Sequence, residues 1–447
     1  MIPVLTPSEM AAVDAAAAEP VEILIERAGA AVARAALEML GGGYGRRVVV
    51  LAGPGNNGAD GRAAAARLRR RGARVEVIDA GSSPDRLAPS DLVIDAAFGA
   101  GLRRAYVAPD PAGAPVLAVD LPSGVSGVTG LVDGRAMQAT RTVTFAALKP
   151  GLLLEPGRSL AGDVTLADIG LDVGESRTNV VESRDVTDWM PTRPADSHKW
   201  DAAVLVVAGS PGMTGAAHLA AGAAQRAGAG MVRLATPGVV DDPARPVESV
   251  GVCLESGQWS AAARRCRSLV IGPGLGRGNE IGVQVRALLA DIELPTVVDA
   301  DALLALAGHL GDQPRRRASD TVLTPHDGEF ENLTGERPAA DRIMAVRDLA
   351  ATSGSVVLLK GATTIVANPA GDVRIVTTGD ARLATAGTGD VLSGVIGALL
   401  ARGMNAFDAA AAGAWLHGRA GAHGPATGLV AGDLLDALPA ALAEVSR

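Results

Sequence analysis

The stretch RRVVVLAGPGNNGADGRAAAARLRRRGARVEVID, residues 46–79, decides the fold. It opens on an apolar run, 46–53, that ends in glycine. Asp60 to Arg71 then reads as an Ala/Arg-rich helix, and 73–79 is a second apolar run. A strand, a helix and a strand within so few residues predict a parallel pair with a crossover helix. Further apolar runs at 91–98, 116–122 and 141–148 extend the pattern. The first half is therefore α/β, predicted as a parallel sheet with helices on both faces, and its ligand belongs at the carboxyl ends of the strands.

The pattern lapses between about 171 and 197 into polar, proline-punctuated sequence. We assign 1–175 to a first domain and 176–196 to a linker, part of it free to cap a domain. Residues 197–447 form the second domain. There the runs 202–209, 231–236, 268–274, 296–300, 320–325 and 355–361 read as strands, and 387–445 as Ala-rich helix. No fixed-period repeat relates the halves, so they are two different domains.

Composition narrows the class. At 447 residues the chain exceeds one ordinary core. A net charge of −8 argues against a nucleic-acid partner, which needs basic surface to neutralise phosphates. No apolar run reaches membrane-spanning length, and MIPVLTPSEM lacks a signal peptide's basic start and apolar stretch, so a cytoplasmic enzyme is expected. Cys253 and Cys266 lack a second pair or a His cluster at zinc spacing, so both are expected as free, buried thiols. Of 41 basic residues only Lys149, Lys199 and Lys360 are lysine. A chain that otherwise uses arginine has kept three compact ammonium groups, all of them inside the motifs below. The acidic, Ala-rich helices suit subunit packing, and a homo-oligomer of unspecified order is expected.

GPGNNGADG (53–61) follows the first strand. Its glycines allow positive φ and close approach of backbone to a ligand, and the next helix offers N–H groups and a positive dipole end to phosphate. Asn56, Asn57 and Asp60 add amide carbonyls and a carboxylate, which suit a hard monovalent cation or ribose hydroxyls. DAAFGAGLRR (95–104), VDLPSGV (119–125) and FAALKPG (145–151) bring Asp95, Asp120, Ser123 and Lys149 to the same sheet edge. Each aspartate alone could be a turn or cap residue; four such strand ends together point to a site.

Over residues 8–170 these motifs resemble the NAD(P)H-hydrate epimerase family, and a Rossmann-like three-layer sandwich is implied. The resemblance implies potassium at Asn57, Asp95 and Ser123. It implies substrate contacts at Asn56, Asn57, Gly58, Ala59 and Asp60, at Gly99, Ala100, Gly101, Leu102, Arg103 and Arg104, and at Asp120. Ala59 stands where the family usually has glycine and Ala100 where it has threonine. Both are small, so an altered loop is expected and not a dead site. The implied chemistry interconverts R and S hydroxyl configurations at a hydrated nicotinamide carbon, with Asp120 the candidate proton-exchanging carboxylate.

ATAGTGDVLSG (384–394) is the sharpest motif of the second half. Gly387, Gly389 and a helix N-terminus present amides to a transferring phosphoryl group, and Asp390 is placed to take a proton from an attacking hydroxyl. LLKGATTIV (358–366) supplies Lys360, Gly361, Ala362, Thr363 and Thr364 for a nucleotide phosphate. SPGMTGA, IGPGLGRG and TPHDGEF are further strand ends, the last carrying His326 and Glu329.

Together these resemble the ribokinase-like superfamily and, within it, the NAD(P)H-hydrate dehydratase family over about 196–445. A ribokinase-like α/β domain is implied, with nucleotide contacts across Lys360 to Thr364 and at Gly387 and Gly389. Hydrate contacts are implied at Ala216, at Gly274 or Gly276, at His326 and at Asp390. The usual HKGxxG reads HKWDAA here, and the usual PHPGE reads PHDGE, which leaves the entry loop at Lys199 without an assigned role. The implied reaction phosphorylates the ring hydroxyl from ADP with Mg2+ and lets phosphate depart, pushed by the ring nitrogen; the residues do not separate ADP from ATP.

The expected substrates are thus NADHX, NADPHX and ADP, without nucleic acid or membrane partners. Two other readings stand beside this one. The second half could be a vitamin or sugar kinase with a stable phosphorylated product, or the first half a binding module without catalysis.

Overall fold

The computed structural model describes residues 1–102, 104–253, 259–311 and 317–446. Two compact units divide it, Ile2–Thr178 and, with Met1, Asn179–Arg447.

In the first unit β1 (Arg47–Ala52), β2 (Arg74–Asp79), β3 (Leu92–Ala96), β4 (Val116–Val119), β5 (Arg141–Phe145) and β6 (Asp163–Ala167) form one parallel sheet in the order β2-β1-β3-β4-β5-β6. The last of these carries no marked apolar run and was not expected. Alternation along β1 sends Val48, Val50 and Ala52 to one face and Val49 and Leu51 to the other. The first face is covered by α2 (Val21–Leu40) and α3 (Asn56–Arg70), packed closely because Gly29 lies against Ala63. Helices were expected on both faces. The second face packs Ala80, Leu87, Ala108, Met137 and Ala139, and the short helix Gly157–Ala161 meets it where Ala161 O accepts from Thr142 Oγ1. A further helix, α1 (Pro7–Ala15), starts at the Thr6–Glu9 capping box.

In the second unit, among the described residues, nine strands of the sheet run β15-β14-β13-β12-β11-β10-β7-β8-β9, and a short strand at Thr178–Val180 lies next to β15. The nine are β7 (Ala203–Val207), β8 (Met231–Ala235), β9 (Ser249–Gly251), β10 (Ser268–Ile271), β11 (Thr296–Val298), β12 (Thr321–Leu323), β13 (Val356–Leu359), β14 (Thr364–Ala367) and β15 (Val373–Val376). All pairings among them are parallel except β13–β14 and β14–β15, so KGATT is the turn of a hairpin. Residues 176–196, read as a linker, contain α4 (Ser183–Trp189), and Val181 and Val186 join this unit's core. Arg374 anchors that helix: its guanidinium lies 4.0 Å from the rings of both Trp189 and Phe407 and pairs with Asp408.

The scarcity of aromatic residues is answered by close helix packing. On α5 (Thr214–Arg226) Ala217, Ala220, Ala221, Ala223 and Ala224 are buried. On α7 (Thr388–Ala401) a Cβ at Gly394 would overlap the Ala220 carbonyl, and one at Gly397 would overlap Val270. With α8 (Ala406–His423) and α9 (Ala431–Ala443) these helices build a core of small side chains. Cys266 is buried as expected, but Cys253 is exposed; both are free. Among the described residues no helix is long and apolar enough to cross a membrane.

Candidate active sites

The asparagine pair is not in a loop. The helix α3 begins at Asn56, four residues ahead of the expected Asp60, with Gly55 as its N-cap. Gly53, Gly55, Gly58 and Gly61 all keep ordinary negative φ. Their role is close packing: a Cβ on Gly53 would strike Ala97 O, and one on Gly58 would strike Gly53 O. The first turn is thereby pulled onto the strand ends, and Asn56, Asn57 and Asp60 face a cavity of about 750 Å3. That volume suits a small-molecule ligand. Gly99, Ala100, Gly101, Leu102, Arg104, Asp120 and Lys149 line the same cavity. Gly58 and Ala59 sit behind it in the helix, and Arg103 lies outside the described residues.

Asp120 follows β4 with φ of 68°, a left-handed conformation that costs a non-glycine residue energy. Lys149 Nζ lies 2.7 Å from its Oδ1, Thr144 Oγ1 donates to Oδ1 at 3.1 Å, and Ala100 N donates to Oδ2 at 3.2 Å. Burial alone would raise this carboxyl, but the Lys149 ammonium overrides burial and holds it below the usual carboxylate range. Lys149 is itself 2% exposed and also donates to Thr144 Oγ1 and Phe145 O. Asp60 has the opposite environment: burial, then the charges of Asp120 and Asp14, push it up to about 8.

Beneath the cavity Asp95 is fully buried. Ser123 donates to it twice, from Oγ to Oδ1 at 2.6 Å and from N to Oδ2 at 2.8 Å. Burial raises this carboxyl as well. With its side-chain amide oriented to satisfy both ends, Asn57 donates to Val119 O and accepts from Gly99 N. Sequence reasoning missed the wall of the cavity formed by Met10, Ala11 and Asp14 of α1 and by Leu24 and Ile25 of α2. The Thr-Pro-Ser-Glu capping signature at 6–9 marks where that wall begins.

In the second unit Gly387, at φ of 89°, caps α7, and a Cβ there would overlap Leu219. Asp390 lies in the first turn of that helix. Burial, then Asp299, push its carboxyl up to about 7, against a lowering by Lys360. Lys360 Nζ lies 2.8 Å from Asp299 Oδ1 and 3.3 Å from Glu329 Oε2. Burial would lower the ammonium, but those carboxylates raise it. Ser393 Oγ donates to Asp299 Oδ2 at 2.7 Å. The sequence reading missed Asp299 and Ser393, although TVVDA already placed that aspartate at a strand end.

Other expected contacts have visible structural duties. His326 caps α6 (Asp327–Thr334), its Nδ1 accepting from Gly328 N and Glu329 N. Gly274 lies against Ala216, and Gly276 N donates to Asp301 Oδ2 at 2.8 Å. Gly361 lies beside Arg342, which forks onto Asp327, the residue in the place of the usual proline. Lys199 lies 6.0 Å from the Trp200 ring centroid. Among the described residues no cluster of three or more His, Cys, Asp or Glu side chains is arranged to hold a metal ion.

The sequence profile described as NAD(P)H-hydrate dehydratase matches residues 204–442, and that described as YjeF-related protein N-terminus matches 21–88 and 79–151. A bifunctional NAD(P)H-hydrate repair enzyme Nnr of Mycobacterium leprae is 40% identical over 439 residues, covering 90% of this chain and 89% of the relative. The chain belongs to the bifunctional NAD(P)H-hydrate repair enzyme family. The protein of that name from Escherichia coli is 33% identical, over 84% of this chain and 80% of its own. The family joins an epimerase to a dehydratase, and the two profiles fall on the two units. Among solved structures, an ADP/ATP-dependent NAD(P)H-hydrate dehydratase of Bacillus subtilis, co-crystallized with ATP/Mg2+, matches at TM-score 0.51 and 31% identity. It covers 60% of this chain and 99% of that one. A ribokinase-like superfamily protein of Enterococcus faecalis, at TM-score 0.55 and 23% identity over 62% of this chain and 99% of that one, shares the fold.

Proposed function

We propose that two carboxylates of opposite character divide the epimerase chemistry. The sequence reading gave proton exchange to Asp120. The environments favour another division: Asp60 carries the proton at neutral pH, and Asp120 stays ionised against Lys149. Asp60 protonates the departing ring hydroxyl, the C–O bond breaks, and the ring nitrogen's lone pair gives an iminium. The fixed negative charge of Asp120 stabilises that cation. Water adds to either face and returns its proton to Asp60, which yields R or S hydrate.

Asn57, Asp95 and Ser123 would hold potassium. Asp95 is a fully buried carboxylate with no cationic partner among the described residues, and all the side chains offer hard oxygen donors. When bound, the ion supplies positive charge beneath the substrate cavity.

In the second unit, Asp390 takes the proton of the S hydrate's hydroxyl as its oxygen attacks the β-phosphorus of ADP, releasing AMP. Lys360 to Thr364 and the Gly387–Gly389 amides hold the phosphates, and magnesium accompanies the nucleotide. The ring nitrogen then expels phosphate, and loss of a ring proton restores NAD(P)H. The support that carries this reading is the placement of Asp390, a largely buried carboxyl raised by burial and by Asp299, in the first turn of a helix whose N-terminus has no side-chain cap. The test is product stoichiometry with the S hydrate and ADP. Equal amounts of NADH, AMP and phosphate are expected; a stable phosphorylated hydrate would favour a simple kinase.

A further inference from the structure

Asp299 has no part in the steps above, yet it is among the most deeply buried charges of the second unit, at 1% exposure. It directly follows β11 and precedes Ala300, whose φ of 49° is a strained, left-handed conformation for a residue with a Cβ. Gly272 leaves room for that turn, since a Cβ there would overlap the Asp299 carbonyl. The backbone is thus bent to aim one carboxylate inward.

Both of its oxygens are used. Oδ1 takes Lys360 at 2.8 Å, and Oδ2 takes the Ser393 hydroxyl at 2.7 Å. Ser393 stands one turn after Asp390 on α7. Lys360 Nζ reaches the helix mouth, 3.6 Å from where a Cβ on Gly389 would stand. The carboxylate therefore ties the end of β13 to the helix that carries the base.

Resting on the reading of Asp390 as the base, we propose that Asp299 is a positioning residue of the dehydratase half. It holds the Lys360 ammonium at the mouth of the anion hole and prevents it from pairing with Asp390. Without such a restraint the nearest cation would settle on the base and leave it a weak proton acceptor. The charged groups facing Asp390 are Asp299, Asp301, Glu329 and Lys360, three carboxylates against one ammonium. His417, which packs on the same turn through Thr388 O, is kept neutral because burial lowers it to about 4.

The test is the pH profile of dehydratase kcat/KM in the full chain, with S hydrate and ADP, for wild type, Asp299→Asn and Glu329→Gln. Wild type should show an acidic limb near the Asp390 value of about 7. Asp299→Asn removes a like charge and frees Lys360, so its limb should move to lower pH by about 1 unit, with kcat falling. Glu329→Gln leaves Asp299 in place and should move the limb less. If Asp299→Asn fails to fold, seen as a lost cooperative melt, Ser393→Ala reports instead. It keeps the charge but loosens the carboxylate, so kcat should fall at least about tenfold with KM for ADP little changed. A wild-type limb near 7 that Asp299→Asn does not move, or an unchanged kcat in Ser393→Ala, would overturn the positioning role alone. A wild type with no such limb would overturn the base assignment and this inference with it.

Discussion

Replacing Asp60 by asparagine should stabilise the fold while it disables epimerisation. Burial and two neighbouring carboxylates move this group from 3.8 to about 8. The folded state therefore holds a proton that the unfolded chain has already lost between those values. Stability falls as pH rises through that window, because the folded state binds more protons than the unfolded state there. At 1.36 kcal/mol per unit the full penalty above pH 8 is at most about 6 kcal/mol, and a third of it, about 2 kcal/mol, is still easily read. Asparagine keeps the shape and never ionises. In denaturant titrations at pH 5, 7 and 8.5 the variant's advantage should be small at pH 5 and widen steadily with pH. Below pH 8, where wild-type Asp60 holds its proton, the rate of R-to-S conversion should fall by roughly 10²–10⁴, the usual contribution of a general acid, and this loss should narrow above it. A variant less stable than wild type at pH 8.5, or a gap that does not grow with pH, would refute the burial argument.

Three further outcomes follow from the same geometry. Lys149→Met leaves the buried Asp120 carboxylate without its ammonium, so the epimerase half should lose about 3–5 kcal/mol in a denaturant melt. ADP-dependent dehydration of pure S hydrate should persist in that variant. Asp95→Asn removes the charge proposed to hold potassium, and the rate enhancement of epimerisation by potassium over sodium should vanish. Arg374→Ala removes the cation between Trp189 and Phe407 and its pairing with Asp408, so the second unit's melt should shift down by about 1–3 kcal/mol.

Both α/β sheets were legible because parallel strands buried on both faces are written as short, unbroken apolar runs, from Val48 in β1 to Val356 in β13. Strands with weaker patterns were missed. Asp163–Ala167 reads DVTLA, a short polar–apolar alternation at a sheet edge with no unbroken apolar run, and Thr364–Ala367 was read only as part of a phosphate loop. The start of α3 was misplaced because Asn56 to Gly58 carry turn residues, and only the contact of Gly58 with Gly53 O reveals why the helix begins there. Asp95 and Asp120 could be singled out because they stand at strand ends, and Asp390 because it follows a glycine pair in the first turn of α7, whereas Asp299, also at a strand end, carried no such flanking motif. Protonation was not legible. Asp60 and Asp120 differ in whether an ammonium faces them, and Lys149 lies twenty-nine positions from Asp120, so only the fold brings it near.

The most direct test of the whole account is the final NADH absorbance from a mixture of R and S hydrates with ADP, magnesium and potassium. Wild type should recover all of it. Asp60→Asn and Asp120→Ala should each stop at the S fraction within the assay, and Asp390→Ala should give none. Full recovery in both epimerase-half variants, or any ADP-dependent recovery in Asp390→Ala, would contradict the assignment of these carboxylates.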